Sequence, residues 1–461
     1  MMHNKTKKQI RNGVFLLVIG LLLPFFCFSA SRDSVPDTKP DTTGVKPFRF
    51  VPFPILGYDS DMGFQWGALA QFFFYGDGST YPEYKHMLYL EFSRFTKGSG
   101  VNQFFYDSKS LLPWNLRITT DITYLTEKAL DFYGFNGYQA AYYPAFEDED
   151  SDRYISRVYY RHERKLLRVL VDLQGPIIGN RLRWLGGVNV FDIEVGTVDI
   201  DNINEGKDEE DKLPDVPLLY DEYVRWDIIG EKEKDGGLTA YLKAGLVYDT
   251  RDHEAAPSRG VWSEVIFLGA PGFLGNNDFS FAKMAAIHRQ YFTLWKDRIV
   301  LAYRIAYQGT VIGTAPFYIQ PYMYSSYSLT TRPDGLGGAK TLRGVLRNRV
   351  VGDGVVYGNL ELRWKFLKGR FFDQDYYLGL TGFMDAGRVI QEHPVDETKF
   401  PFMNMERPLY LDQYHDSMHL TVGAGLRISL NKNFILAVDY GLAFDKRDGN
   451  SGIYFTVGNL F

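Results

Sequence analysis

The chain has 461 residues, a formal net charge of −5, one cysteine and 45 glycines, and 16% of it is aromatic, with 32 tyrosines and 35 phenylalanines. The small net charge gives no reason to expect nucleic-acid binding, and one cysteine cannot close an internal disulfide. After residue 30 no apolar run reaches the roughly 20 residues that a membrane-spanning helix needs.

The first expected element is an export signal over 1–30. Lys5, Lys7, Lys8 and Arg11 precede an apolar run from Val14 to Phe28, and the small residues Ser29 and Ala30 follow at a cleavage site. Cys27 sits directly after the bulky Phe26, where a lipid-modified cysteine wants a small neighbour. It is therefore read as part of the signal. Cleavage there would leave a mature chain with neither disulfides nor thiolate metal sites. Residues 31–48 are rich in Asp, Thr, Pro and Lys, show no periodicity, and read as a periplasmic linker.

From residue 49 to 461, segments of period two recur. The expected strands are 49–58, 64–75, 85–95, 100–109, 113–126, 154–172, 180–199, 236–249, 260–268, 278–291, 297–310, 354–367, 376–390, 416–429, 433–445 and 452–461. The count is sixteen, and an even count suits a closed antiparallel barrel of the bacterial outer membrane. The gaps sort by parity. Gaps 127–153, 200–235, 311–353 and 391–415 are long, whereas 110–112, 292–296 and 430–432 are short. Long outer loops with short periplasmic turns belong to such barrels, and a soluble sandwich has no reason to sort its loops this way.

Within the strands, apolar and polar residues alternate. Val356, Leu360, Leu362, Trp364 and Phe366 share one face, and Asn359, Glu361, Arg363 and Lys365 the other. Leu420, Val422, Ala424, Leu426 and Ile428 alternate with a set that includes His419 and Arg427. Ile299, Leu301, Tyr303, Ile305 and Tyr307 alternate with a set that includes Arg304. A charge at the bilayer midplane costs about 2–4 kcal/mol for Arg or Lys, so Arg304 and Arg427 should face the lumen. Ile435, Ala437, Asp439 and Gly441 form the inner face of the strand expected at 433–445. In the last strand, Ile453, Phe455, Val457 and Phe461 are expected on one face. Pro52 and Pro54 fall in the first strand, where each removes a ladder donor, and proline in sheets belongs on edges. Pro52 and Pro54, with Phe455 and Phe461, mark a lateral seam between the first and last strands, or the prolines merely mark entry to the barrel.

Two loops carry distinctive chemistry. Residues 201–217 hold Asp201, Glu205, Asp208, Glu209, Glu210, Asp211 and Asp215. Clustered carboxylates can bind calcium, but the spacing lacks an EF-hand pattern and the segment reads as a solvated loop. Phe132, Tyr133, Phe135, Tyr138, Tyr142, Tyr143 and Phe146 read as a cap over the lumen, the alternative being a contact site for a partner. His253, His288, His393, His415 and His419 sit in no nucleophile motif, and Gly-x-Ser-x-Gly does not occur. An enzyme, a cofactor and a metal centre are not expected.

Several motifs together support a family. Gly337-Gly338 precede Leu342-Arg343-Gly344-Val345 in the sixth outer loop, and Gly358-Asn359-Leu360-Glu361-Leu362-Arg363 follows on a strand. Phe383, Asp385 and Gly387 form Phe-x-Asp-x-Gly on the next strand. Tyr248-Asp249-Thr250-Arg251-Asp252, Pro257 and Arg259-Gly260 mark a periplasmic turn, and Val457-Gly458 with Phe461 closes the chain. The barrel resembles the BamA/TamA (bacterial surface antigen) superfamily over 248–461. Val345 departs from the pattern, which has an aromatic there.

The resemblance implies a sixth loop folded into the lumen, with its arginine on the Phe-x-Asp-x-Gly strand. Phase counting agrees, since Thr381, Phe383, Asp385 and Gly387 share the face opposite Leu378, Leu380 and Met384. The expected lock is Arg343, Gly344, Glu361, Phe383, Asp385 and Gly387, acting either as a structural tie or as a gate. Most of the family carries periplasmic POTRA domains before the barrel. Residues 31–48 leave no room for one, so a bare barrel is expected, with an envelope partner or client supplying the reception role. The implied function is insertion or translocation of proteins or other envelope components at the outer membrane, in contact with lipid and lipopolysaccharide. The alternative is a passive or gated pore, or an accessory barrel within an envelope complex.

Overall fold

Alternating apolar and polar residues give strands whose two faces meet different surroundings, and sixteen such strands make up this chain. They are β1 (Phe48–Asp59), β2 (Gly63–Phe74), β3 (His86–Phe95), β4 (Gly100–Ser108), β5 (Arg117–Asp131), β6 (Arg161–Ile178), β7 (Leu182–Gly196) and β8 (Gly236–Asp249). The second half is β9 (Gly260–Ala270), β10 (Phe281–Trp295), β11 (Ile299–Gly313), β12 (Gly354–Phe371), β13 (Gln374–Gln391), β14 (His419–Leu430), β15 (Phe434–Ala443) and β16 (Ser451–Val457). The computed structural model describes residues 46–461 except 60–62, 82, 297, 328–333, 372–373, 401–406, 413–414 and 431–433. The signal expected at 1–30 and most of the linker expected at 31–48 lie outside the described residues. Among the described residues no helix is long and apolar enough to cross a membrane.

The strands form one antiparallel sheet in chain order, β1 to β16, the topology of an all-β, 16-stranded transmembrane barrel. The faces segregate as the alternation requires. Leu360, Leu362 and Trp364 are exposed on the outer surface, while Asn359, Glu361 and Arg363 between them are buried. Arg304 and Arg427 are 6% and 3% exposed, so both face inward. Their neighbours Ile305 and Leu426 are exposed outward.

Most strand ends shift by a few residues, β5 running 117–131 where 113–126 was expected, and two differences change which residues belong to the wall. β6 begins at Arg161 rather than at 154. Tyr159 and Tyr160, which looked like strand residues, are instead buried in an aromatic cluster above the barrel. The last strand ends at Val457 rather than at Phe461. Gly458 adopts φ +90°, a conformation open to glycine at little cost, and the chain turns inward there. Phe455 remains exposed on the outer face at 62%, but Phe461 is buried at 8%. Phe461 packs beside Tyr291, Val300 and Ala302 of β10 and β11. The expected shared face of Phe455 and Phe461 is thus corrected.

The inner face is filled. Asp121, Arg168, Asp172, Lys243, Glu264 and Arg289 are all buried below a tenth of their surface. They pair along the wall, two between adjacent strands and one from β8 past β7 to β6: Arg168 Nη2 lies 2.9 Å from Asp121 Oδ1, Arg289 Nη1 3.2 Å from Glu264 Oε1, and Lys243 Nζ 2.6 Å from Asp172 Oδ2. A water-filled channel would leave such wall residues accessible. Here they meet each other and the long β11–β12 loop, residues 314–353.

Above the wall, five of the seven aromatics expected in a cap are buried, while Tyr142 is half-buried and Tyr143 exposed. Phe132, Tyr133, Phe135, Tyr138 and Phe146 are buried. They belong to one cluster, except Tyr138, with Tyr220, Tyr223, Trp226 and Phe317 from two other outer loops. The acidic loop folds beside it through two short helices, α1 (Ile200–Asn204) and α2 (Leu219–Arg225).

Candidate functional site

The tip of the 314–353 loop docks on the inner wall of β12–β15, and Arg343 is its centre. Its side chain has no exposed surface. Nε and Nη2 donate to Oδ2 and Oδ1 of Asp385, both at 2.9 Å, in a two-pronged contact. The Arg343 backbone N–H adds a third bond to Asp385 Oδ2 at 3.0 Å. Nη1 donates to Glu361 Oε1 at 2.7 Å and reaches Asp439 Oδ2 at 3.3 Å. The guanidinium also lies over the Phe383 ring, 3.5 Å from its centroid. Planar recognition of carboxylate is what a guanidinium does better than an ammonium.

The wall carries its own counter-charges. Arg363 Nε donates to Glu361 Oε2 at 2.7 Å, and Arg427 grips Asp439 at 2.7 and 3.1 Å. Arg343, Arg363 and Arg427 therefore face Glu361, Asp385 and Asp439, a balance that lets six charges sit in a buried site. Asn359 Nδ2 donates to Asp385 Oδ1 at 2.8 Å and to the Thr341 carbonyl at 2.7 Å, tying the loop backbone to the same carboxylate. Arg304 Nη2 donates to the Lys340 carbonyl at 2.9 Å.

Glycines make room for this contact. Gly344 adopts φ +111°, and its amide donates to the Tyr454 hydroxyl of β16 at 2.9 Å. A Cβ at Gly441 would lie 2.3 Å from the Arg343 carbonyl oxygen, and one at Gly423 would lie 2.2 Å from the Phe383 ring. A Cβ at Gly387 would meet Leu336 of the loop at 2.9 Å. The structure thus brings together Arg343, Gly344, Glu361, Phe383, Asp385 and Gly387. Sequence reasoning missed Asp439, Arg427 and Arg363 as members. Their inward phase was readable, but not that the tip would reach β15. Val345, the departure from the family pattern, is buried beside Leu336, Leu342 and Val350.

A second anchor lies on the opposite wall. The Ser325 hydroxyl donates to Glu264 Oε1 at 3.1 Å and the Ser326 amide to Oε2 at 3.0 Å. Lys243 Nζ donates to the Ser325 carbonyl at 3.2 Å. Tyr327 lies under Arg117, 5.1 Å from its ring centroid, and edge-on to Phe105. The loop is pinned at two places, on β12–β15 and on β4–β9. Replacing Ser325 by alanine is expected to cost about 1–3 kcal/mol, because it leaves part of a buried acceptor unpaired. Urea unfolding in lipid vesicles, followed by tryptophan fluorescence, measures it. An unchanged midpoint would place Ser325 outside the anchor.

The seam residues divide. Tyr75 N–H donates to the Pro47 carbonyl at 2.8 Å. The continuous β1–β2 register pairs Pro52 with Ala70 and Pro54 with Ala68. In an antiparallel ladder, hydrogen-bonded and non-hydrogen-bonded pairs alternate. Odd-numbered residues of β1 therefore bond to β2, and Pro52 and Pro54 turn their backbone positions to the other edge. That edge is the one turned away from β2. Phe455 is on the outside of β16. Phe461 is inside, where its carbonyl accepts from Arg363 Nη2 at 2.8 Å and its ring lies 5.0 and 5.2 Å from Arg363 and Arg304. Arg363 thereby joins the lock to the tail.

A family model described as the Omp85 superfamily domain matches residues 188–461. Among solved structures, the chain is similar to BamA from Haemophilus ducreyi lacking POTRA domains 1–3, at 16% identity and a TM-score of 0.48, covering 90% of this chain and 70% of that one. It is also similar to CdiB from Escherichia coli, at 12% identity and a TM-score of 0.49, covering 92% of this chain and 63% of that one. CdiB from Acinetobacter baumannii gives 11% identity and a TM-score of 0.43, covering 90% of this chain and 60% of that one. No curated protein matches the chain in sequence.

Proposed function

We propose that this chain, which belongs to the Omp85 superfamily and is an outer-membrane β-barrel, inserts or translocates protein segments at the outer membrane through the seam between β1 and β16. The observation that carries this reading is the chemistry of that seam. β1 has twelve residues and β16 seven, so β16 cannot cover the length of β1. Pro52 and Pro54 withdraw two donors from the same edge. A strand edge with fewer bonds to its neighbour opens at lower cost, and an incoming extended segment can add to it through main-chain hydrogen bonds.

The lock supports the same reading because it touches the seam. Gly344 of the loop tip bonds to Tyr454 of β16, and Arg363 holds both Glu361 and the Phe461 carbonyl. Movement of the plug and of the last strand would share contacts. A passive pore fits less well, since the wall charges are buried against one another and against the loop. Lipid surrounds the barrel, and an envelope protein or client is the partner this reading requires.

The test uses proteoliposomes and a urea-unfolded eight-stranded β-barrel as client, with folding read as protease protection. The protein should speed folding over empty liposomes. A variant with Phe53→Cys and Val457→Cys, joined by a flexible bismaleimide, should lose that acceleration, while each single-cysteine variant keeps it. Both side chains pack against the same buried cluster. Equal rates with and without the cross-link would refute lateral opening, and no acceleration by the unmodified protein would refute insertion.

A further inference from the structure

The outer cap contains a buried proton site that neither the lock nor the seam uses. Residues 136–140 of the β5–β6 loop form a finger that is wholly buried. Asn136 opens it at φ +62°, and other outer loops grip it. Arg349 donates to the Gly137 carbonyl at 2.9 Å and the Ala140 carbonyl at 3.0 Å, and the Asn136 amide donates to the Val351 carbonyl at 2.6 Å. These contacts come from the base of the plug loop. The Leu346 amide of that loop donates to the Asp448 carbonyl at 2.8 Å.

Tyr138, at the middle of the finger, stacks on His419 with ring centroids 3.9 Å apart. Its hydroxyl donates to Asp448 Oδ2 at 2.6 Å and its amide to Asp416 Oδ1 at 2.9 Å. His419 lies between the same two carboxylates, with Nδ1 2.6 Å from Asp448 Oδ1 and Nε2 2.9 Å from Asp416 Oδ1. The side chains of His419 and Asp448 have no exposed surface, and that of Asp416 is 1% exposed.

A neutral imidazole has one N–H and one lone pair. Between two carboxylates it can satisfy one, and the other contact sets lone pair against lone pair. With both ring nitrogens at hydrogen-bond distance from carboxylate oxygens, the cluster holds one proton more than neutral histidine with two carboxylates. We propose that this extra proton, carried by His419 between Asp416 and Asp448, fastens the Asn136–Ala140 finger into the outer cap, and that its loss to hydroxide at alkaline pH releases the finger.

The other charges around the site fit this assignment. Arg447 lies over the outer face of Tyr138 at 3.9 Å and is neutralised by Asp445 and Asp412. Arg388 donates to the Asp416 backbone carbonyl at 2.9 Å. Arg349 bonds to backbone carbonyls, including that of Arg447 at 2.9 Å. The second histidine at the finger, His393, exchanges backbone bonds with the Asn136 side chain, and burial pulls it down to about 4. It stays neutral across the neutral and alkaline range, which leaves His419 as the group that changes. The sign follows from linkage. The closed cap binds a proton that the open loops release near the ordinary histidine value of about 6.5. Closure is therefore complete below that value and weakens as pH rises through the cluster's own titration.

The discriminating variant is Asp448→Asn. An amide at 448 can donate to the Nδ1 lone pair and still accept from the Tyr138 hydroxyl, so neutral His419 becomes fully bonded without the extra proton. Purified protein is digested with trypsin at about pH 7 and about pH 10, and cleavage after the buried Arg349 is read by mass spectrometry. Parent and variant are compared at each pH, so the protease's own pH dependence cancels. At about pH 10 the parent should be cut several-fold faster than D448N, with equal rates at neutral pH. Equal rates at both pH values, or an alkaline rise in D448N as well, would overturn the proposal. Selective ¹⁵N-histidine spectra supply a second readout should D448N not fold. A doubly protonated ring at about pH 8, well above the ordinary histidine range and absent from His419→Gln, is expected. A singly protonated ring at His419 would overturn the proposal without the variant.

Discussion

Replacing Arg343 with alanine is expected to release the plug and to destabilise the barrel by about 3–5 kcal/mol, the usual effect of removing one partner from a buried ion pair. Among the described residues no second cation bonds to the two Asp385 oxygens, since Arg304 is held by Asn359 and the Lys340 carbonyl. Arg363 is committed to Glu361 and the Phe461 carbonyl, and Arg427 to Asp439. Asp385 would keep the Asn359 amide and the backbone N–H at 343, which do not neutralise its charge. The local balance would shift from three against three to two cations against three carboxylates. The tip would then leave the wall, and water would take its place around the uncompensated Asp385 carboxylate. Urea unfolding in vesicles reads the stability, and planar-bilayer recording reads the release as conductance that the parent lacks.

Lysine at 343 separates charge from shape. It restores the balance but cannot fork onto both oxygens of Asp385 while reaching Glu361. The order expected is parent, then Arg343→Lys, then Arg343→Ala, in both stability and closure. Equal behaviour of the lysine variant and the parent would mean that net charge alone holds the tip. An alanine variant with unchanged unfolding and unchanged conductance would remove the lock from any account of this barrel.

Much of this was legible in the sequence because a barrel wall has a simple code. Period two with lipid on one side places Arg304, Glu361, Asp385 and Arg427 inward without further information, and parity of loop length gives the orientation. The motif then names Arg343 as the residue that meets Asp385. What periodicity cannot give is how far a loop reaches. Asp439 was on the correct face of β15, yet only the fold shows that the tip spans from β12 to β15. The same limit hid the Ser325–Glu264 anchor, since nothing local links a serine in a long loop to a strand some sixty positions earlier. Phe461 failed for another reason. Counting by twos continues through Gly458, but a residue at φ +90° ends the pleat, and the ring then belongs to the lumen. Residues 154–160 misled because buried aromatic loop and buried strand share a composition, and the cap competes for the same tyrosines.

Valine at Gly441 should undock the tip while leaving every charge of the lock in place. A Cβ there would lie 2.3 Å from the Arg343 carbonyl oxygen and 2.5 Å from its carbonyl carbon. Both are backbone atoms, so no rotamer change relieves the contact, and the branched side chain adds further bulk. The loop cannot shift locally either, because Gly344 is fixed at φ +111° against Leu442, where its own Cβ would lie 2.8 Å from the backbone nitrogen. The tip must therefore withdraw as a unit. Gly441→Val should show the conductance of Arg343→Ala with a barrel that still assembles, since valine suits a strand. Combining the two changes tests whether they act on one event. If both only undock the tip, the double variant should conduct no more than either single one. The additivity usual for independent sites would instead show that the glycine wall and the charge cluster hold different parts of the loop. Closure indistinguishable from the parent in Gly441→Val would mean that the tip does not rest on β15.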